Sequence, residues 1–257
     1  MSRHRYLPLL FAALLACPTA HAGCAKPLTV AFGGFTPDMY IAEQGNYAGV
    51  VIDYLSEVGK KTGCKFTYIN VPWARAWYLF KNGQMDIVPI AAQNSARDGF
   101  GDYVSNEISE QVSIVSLRQL DIDSAVQLIR QPIKFDVMRG AEYGPKYSEF
   151  IGNPALRGRF EVSPDPITMI RKLKGQRMDA ILTLPSGLLD AAKAEGVEAQ
   201  LNARCLQDLD KVGAGMYLSH EIPAAEAAQL KAAMRELNQS GFYYKRFMAA
   251  VTNGVGA

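Results

Sequence analysis

The chain has 257 residues with 27 basic and 25 acidic side chains, and its first 22 residues hold two of the bases and none of the acids. Without that segment the balance is neutral, which argues against a nucleic-acid partner, since such a partner demands a basic face. No later segment is apolar enough to cross a membrane, and the length admits one large domain or two lobes of about 100 residues each.

Residues 1–22 read as a secretion signal. Arg3 and Arg5 form a basic start, Leu7 to Ala16 a short apolar core, and Ala20-His21-Ala22 a small-residue cleavage site. Leu14-Leu15-Ala16-Cys17 also resembles a lipid-attachment box, which would anchor the chain at Cys17. Ala20-His21-Ala22 is the cleaner match, so a soluble exported chain is expected. Cys24, Cys64 and Cys205 survive cleavage, and disulfides are permitted outside the cytoplasm. Cys24 lies just before an expected strand at Leu28–Phe32, and Cys64 just before one at Phe66–Val71. If those strands are parallel neighbours, both sulfurs sit at one sheet edge, so a Cys24–Cys64 bridge is expected in preference to two unpaired thiols. Cys205 has no evident partner and is expected as an inert buried thiol.

After Leu28–Phe32, Gly33-Gly34 opens a loop through Phe35 to Tyr40, and Gly45 to Gly49 reads as a turn. Val51, Ile52, Leu55 and Val58 fall at helical spacing from about Val50, and Gly63 stops that helix. Phe66–Val71 is the second strand. Pro72 and Trp73 start a helix that Asn82-Gly83 closes, and Asp86 to Ala91 is a third, buried strand. Strand, helix, strand, helix, strand predicts a parallel sheet with crossover helices. Val112–Leu117 is an extended run taken as the crossing out of a first lobe. Ile133–Met138 restarts the alternation, Arg139–Gly144 is its strand-to-helix loop, and Phe160–Val162 is a short strand. Asp165 and Pro166 stand as N-cap and first helical residue, with Ile167, Ile170 and Leu173 on the buried face. Met178–Leu184 is a strand again, and Gly213–Leu218 reads as the return crossing. Ala224–Leu237 and Phe242–Val251 are helix-prone around Gly241. Lys81-Asn-Gly-Gln-Met-Asp-Ile-Val88 echoes Lys174-Gly-Gln-Arg-Met-Asp-Ala-Ile181, which suggests two similar lobes. The expected division is 23–117 with 213–257 in lobe 1 and 118–212 in lobe 2, the two crossings forming a hinge.

In parallel sheets, ligands collect where strands end. The strand-end loops hold Phe35, Tyr40, Trp73, Arg75, Trp77, Gln93, Ser95 and Arg97 in the first half. In the second they hold Arg139, Glu142, Tyr143, Thr183 and Ser186. Aromatic walls with a few convergent charges describe a small-molecule cleft. Arg97, just past the third strand, can present a planar fork of donors to a carboxylate, and the Gly140 loop precedes a helix whose N–H groups suit an anion. Each has a plainer alternative: a core role for a tryptophan, a local ion pair for Arg75 or for Arg97 with Asp98, a solvated helix start for Glu142. Beyond the signal, His220 is the single histidine, which argues against a His-based metal site or a Ser-His-Asp triad. No G-x-x-x-x-G-K-[ST] or G-x-G-x-x-G run is present, and no cofactor is expected.

Several segments in this order and spacing resemble family 3 solute-binding proteins. They are Thr36-Pro-Asp-Met-Tyr40, Gly49-Val-Val-Ile-Asp53, Gly83-Gln-Met-Asp86, Asn94-Ser-Ala-Arg97, Arg139-Gly140 with Tyr143-Gly144, and Gly175-Gln-Arg-Met-Asp179. The resemblance covers Leu28 to Phe247. It implies an α/β, two-lobed type II periplasmic-binding-protein fold, each lobe a mostly parallel sheet flanked by helices. It also implies a monomeric periplasmic protein serving an ABC permease. It matches Arg97 to the arginine that takes a ligand's α-carboxylate. Ala91 and Gln93 match that arginine's neighbours, and Gly140, Ala141, Glu142 and Tyr143 match the second-lobe clamp. The chain departs from the pattern at Leu184, where amino-acid binders place an acid for the ammonium, and at Ala91 and Ala92, where hydroxyl residues are usual. A carboxylate without an amine, or an amine held by Glu142, stays open. So do an exported cyclohexadienyl dehydratase, with Glu142 or Asp190 as acid, and a soluble sensor-kinase partner.

Overall fold

The computed structural model describes residues 23–33, 37–42 and 44–253, with the backbone alone for 252 and 253. The expected signal, the Cys17 alternative and Phe35 lie outside the described residues. The chain opens with β1 (Leu28–Phe32), a two-residue hairpin of β2 (Tyr40–Ile41) and β3 (Tyr47–Ala48), and α1 (Val50–Thr62). It continues through β4 (Phe66–Asn70), α2 (Trp73–Lys81), β5 (Ile87–Ala91), the single turn α3 (Ser95–Asp98) and the long strand β6 (Gly101–Gln111). Next come β7 (Ser113–Ser116), α4 (Ala125–Arg130), β8 (Phe135–Met138), α5 (Pro145–Ile151), β9 (Phe160–Ser163) and α6 (Pro166–Lys174). The remaining elements are β10 (Ala180–Thr183), α7 (Leu189–Ala194), β11 (Asn202–Cys205), β12 (Lys211–Ser219), α8 (Ala224–Gln239) and α9 (Phe242–Asn253).

These strands form two five-stranded sheets of one topology. The first has the order β4-β1-β5-β12-β6, the second β9-β8-β10-β7-β11. In each, the first three strands are parallel, the fourth runs against them, and the fifth pairs antiparallel with the fourth and so runs with the first three. Local chemistry explains the elements. Val50, Val51, Tyr54, Leu55 and Val58 put one face of α1 into the first core. Gly63, in the left-handed region at φ 74°, ends the helix by donating to the Gly59 carbonyl. Asp165 caps α6 by accepting from Thr168 N, with Pro166 at the first helical position. Among the described residues no helix is long and apolar enough to cross a membrane.

The repeated Met-Asp pair has a structural cause. Asp86 N donates to Thr29 O at 3.1 Å, and its carboxylate takes Thr29 N and Thr29 Oγ1, both at 2.8 Å. Asp179 N donates to Lys134 O at 2.8 Å, and its carboxylate takes Lys134 N at 2.9 Å. In both sheets, then, the aspartate at the head of the third parallel strand staples the head of the central one. Met85 and Met178 are buried beside these staples.

Cys24 and Cys64 are bonded, their Cα atoms 4.6 Å apart, because β1 and β4 pair in parallel from Leu28 and Phe66 onward. Two expectations are corrected. Cys205 is exposed, since β11 is an edge strand whose outer face no described element covers. Val112–Leu117 is not the run that crosses: Ser113–Ser116 is already β7 of the second sheet, and the chain reaches it along β6. That strand pairs antiparallel with β12 from Gly101–Ser219 to Gln111–Lys211, so the two connections leave the first sheet side by side.

Candidate functional site

The end of β5 is bent by its own sequence. Pro89 has no N–H to give to a ladder, and the pairing with β12 shifts between Tyr217, opposite Val88, and Gly215, opposite Ala91. Within this irregularity Ile90 takes φ 51°, a conformation that strains a β-branched residue. The bulge turns the chain into α3, which Asn94 caps by accepting Arg97 N at 2.9 Å. The Tyr217 hydroxyl receives Asn94 N at 3.0 Å and reaches Asp98 Oδ1 at 2.7 Å. Asp98 therefore faces Tyr217 and Gln93, not Arg97.

Held this way, the Arg97 side chain is buried, its guanidinium 3.8 Å over the Trp77 ring. Nη1 donates to Ala92 O at 3.0 Å and Nη2 to Gly140 O at 3.2 Å. Burial lowers its pKa while the Glu142 charge works the other way, and a guanidinium keeps its proton. These bonds use two of its five N–H donors. The remainder take no hydrogen bond to a described residue, and Arg97 lines a cavity.

The second sheet's loops close the other side. Gly140, at φ 77°, lies so close over α2 that a Cβ there would sit 3.4 Å from Ala74. Tyr143 is buried with its hydroxyl 3.1 Å from Thr183 Oγ1, and burial pushes that hydroxyl up to about 12. Ser186 N donates to Glu110 Oε1 at 3.0 Å, and its hydroxyl to the other oxygen. Glu142 is exposed and accepts from Ser148 Oγ at 3.0 Å. The cavity between the two sides, about 80 Å³, has room for several waters or a small solute. Its walls are mostly apolar, Trp73, Met138, Leu184 and Val212 among them, with polar groups from Arg97, Glu142, Tyr143, Thr183 and Ser186.

Of the residues expected from sequence, Trp73, Ala91, Arg97, Ala141, Glu142, Tyr143, Thr183 and Ser186 line this one cavity, and Gly140 touches it through Arg97. Trp77 supports Arg97 from beneath. The others are elsewhere. Tyr40 lines two separate clefts, and Gln93 lines another with Tyr103 and Asp210. Arg75 stacks 4.8 Å from the Tyr78 ring on the helix surface, while Ser95 and Arg139 are exposed and outside the cavity wall. These residues stand at or just beyond strand ends, as expected, but do not line this cavity. Sequence reading missed Asp38, a cavity-lining acid whose carboxyl accepts from Tyr243 Oη at 2.5 Å. Burial pushes it up to about 7, against the pull of that hydrogen bond and with help from Glu110. The signal available was an acid inside the first strand-to-helix loop.

A profile of bacterial extracellular solute-binding proteins, family 3, matches residues 28–247. No curated protein sequence matches. Among solved structures, the arginine-, lysine-, histidine-binding protein ArtJ from Geobacillus stearothermophilus superposes with TM-score 0.72 at 18% identity, over 87% of this chain and 96% of that one. A histidine-bound substrate-binding protein of an ABC uptake transporter from Streptococcus pneumoniae gives 0.72 at 17%, over 87% and 92%. The ancestral amino acid-binding protein AncCDT-1, described as a precursor of cyclohexadienyl dehydratase, gives 0.68 at 18%, over 87% and 94%. At these identities the likeness is one of fold, the two-sheet α/β architecture of type II periplasmic binding proteins.

Proposed function

Since the chain belongs to the bacterial extracellular solute-binding proteins of family 3, we propose that it captures a small carboxylate-bearing solute between two lobes and delivers it to an ABC permease. The work is done in the periplasm, after removal of the N-terminal signal. The observation that carries this reading is Arg97: a buried cation on the wall of a cavity, fixed by Trp77, Ala92 O and Gly140 O, with further donors that no described residue takes. A carboxylate accepts such a planar fork in two parallel bonds. Closing the lobes over it excludes water and strengthens the pairing. Tyr143, Thr183 and Ser186 then supply hydroxyl groups from the second sheet's side, and hinge motion along β6 and β12 admits and releases the solute.

Calorimetric titration with amino acids, organic acids and polyamines tests this. A small carboxylate is expected to bind, and Arg97→Ala to weaken it by about two orders of magnitude, as loss of a charge-assisted bidentate pair does. No binding of any small polar solute, or an affinity indifferent to Arg97→Ala, would overturn it. The likeness to AncCDT-1 raises a dehydratase as second reading. Of the two candidate acids, Asp190 lines a different cleft with Tyr40 and Arg171, and Glu142 is exposed and bonded to Ser148. Prephenate is therefore expected to yield no phenylpyruvate. Turnover abolished by Glu142→Gln would make the protein an enzyme.

A further inference from the structure

Besides Arg97 and Glu142 the cavity has a third charge-bearing group, Asp38, and this one has no counter-ion among the described residues. Asp38 is only 8% exposed, and no described lysine or arginine pairs with it. Val50 N and Val51 N, at the start of α1, donate to Pro37 O and Asp38 O at 3.1 and 3.0 Å, so its loop is pinned in place. Tyr243 of α9 donates to Oδ1, while Oδ2 takes no hydrogen bond from a described residue. One side of a buried carboxyl is thus left to the cavity. Burying such a group without a cation or a full set of donors is costly, and a cationic group on the ligand would remove that cost.

The two poles stand apart. Arg97 bonds Ala92 O and Gly140 O, Asp38 accepts from Tyr243, and no hydrogen bond or ion pair joins the two side chains. Apolar walls from Trp73 and Leu184 belong to the same cavity. An α-amino acid has its carboxylate and ammonium on one carbon, so the acid that meets its ammonium must stand close beside the arginine, whereas Asp38 and Arg97 do not touch. Resting on the carboxylate-capture reading above, we propose that Asp38 is the cation-binding pole of this site. The ligand is then a zwitterion with separated charges: a carboxylate for Arg97, a short apolar body, and a terminal ammonium or amidinium group for Asp38.

The test is calorimetric titration with 5-aminovalerate, pentanoate and 2-aminobutyrate, using the full mature protein and Asp38→Asn. Asparagine keeps an acceptor for Tyr243, and thermal melting checks that the variant folds. In the wild type, 5-aminovalerate should bind about tenfold or more tightly than either pentanoate or 2-aminobutyrate. Asp38→Asn should bring the ratio of 5-aminovalerate to pentanoate affinity close to one. A second readout needs no variant. The groups facing Asp38 are Tyr243 from α9, which burial keeps neutral, and Glu110 from β6. With Asp38 raised to about 7, binding of 5-aminovalerate at pH 6.5 should expel a proton, seen as a dependence of the heat on buffer ionisation. Its affinity should rise close to tenfold per pH unit below 7 and level off above. Pentanoate binding as tightly as 5-aminovalerate, or a preference untouched by Asp38→Asn, overturns the assignment of Asp38 while leaving carboxylate capture intact. Failure of all three probes together with every other carboxylate removes both.

Discussion

Asp38→Asn is expected to stabilise the ligand-free protein at pH 8 and to leave it unchanged near pH 4. The carboxyl rises from an ordinary 3.8 to about 7 in the folded chain, chiefly through burial. A raised carboxyl favours the fold while it is neutral. That contribution is complete below the unfolded value, declines as pH climbs between the two values, and is gone above the folded one. A difference of about three units at about 1.4 kcal/mol each corresponds to roughly 4 kcal/mol at pH 8, and local relaxation makes about 2–4 kcal/mol the reasonable range. For a chain of this size each kcal/mol moves Tm by about 2–4 °C, so the variant should melt roughly 5–10 °C higher at pH 8. Parallel melts of both proteins from pH 4 to 9 give the difference, in which all other titrating groups cancel. That difference should grow between pH 4 and 7 and then plateau. A constant offset, or a variant destabilised equally at every pH, would mean that Asp38 does not carry the cost of a buried charge.

Removing the Cys24–Cys64 bridge by paired serine substitutions should cost about 4 kcal/mol in urea unfolding, the loop-closure value for a separation of 40 residues; a loss below 1 kcal/mol would show that the unfolded chain is hardly constrained by it. Asp86→Ala should cost about 2–3 kcal/mol, because it leaves Thr29 N and Oγ1 without their acceptor in a buried strand head. The equivalent Asp179→Ala should cost less, its side chain being 37% exposed, and the reverse order would contradict the parallel drawn between the two staples. Cys205 should react with iodoacetamide in the native protein, located by mass spectrometry, whereas protection until denaturant is added would contradict its exposure on β11.

The parallel parts of both sheets were legible because their residues obey simple periods. Val51, Leu55 and Val58 mark the buried stripe of α1, glycines end several helices, β1 is apolar but for Thr29, and β5 is a continuous apolar run. What escaped was the strand that does most to shape the molecule. The alternation in Gly101–Gln111 is interrupted where Ser105 faces Gly215 and Ile108 faces Ala214, so that Asn106 and Glu107 form a bulge with Glu107 at φ 60°. Asn106 is buried there, a position that hydrophobic periodicity never assigns to asparagine. Site residues were legible to the level of the loop. Trp73 and Arg75 are two positions apart on α2, yet one faces the cavity and the other stacks on Tyr78 outside. Which way each points depends on how α2 seats on its sheet. Asp38 escaped because its distinguishing features are burial and Tyr243, 205 residues away in the chain.

Three energetically unfavourable features lie at the cavity. Ile90 is held at a positive φ on its wall, Asp38 is a buried carboxyl with one donor, and Trp77, beneath Arg97, has an indole N–H with no acceptor among the described residues. Strain of this kind costs of order 1–3 kcal/mol per residue and persists only where the surrounding fold enforces it. The two sheets, with their aspartate staples, are the enforcing structure. A binding site in this condition has more to gain from a ligand than a relaxed one would, because each group that the ligand satisfies lowers the free energy of the complex relative to the empty protein. The identity of those groups then constrains the ligand. Arg97 seeks an anion, Asp38 a cation, and the apolar wall between them an uncharged body.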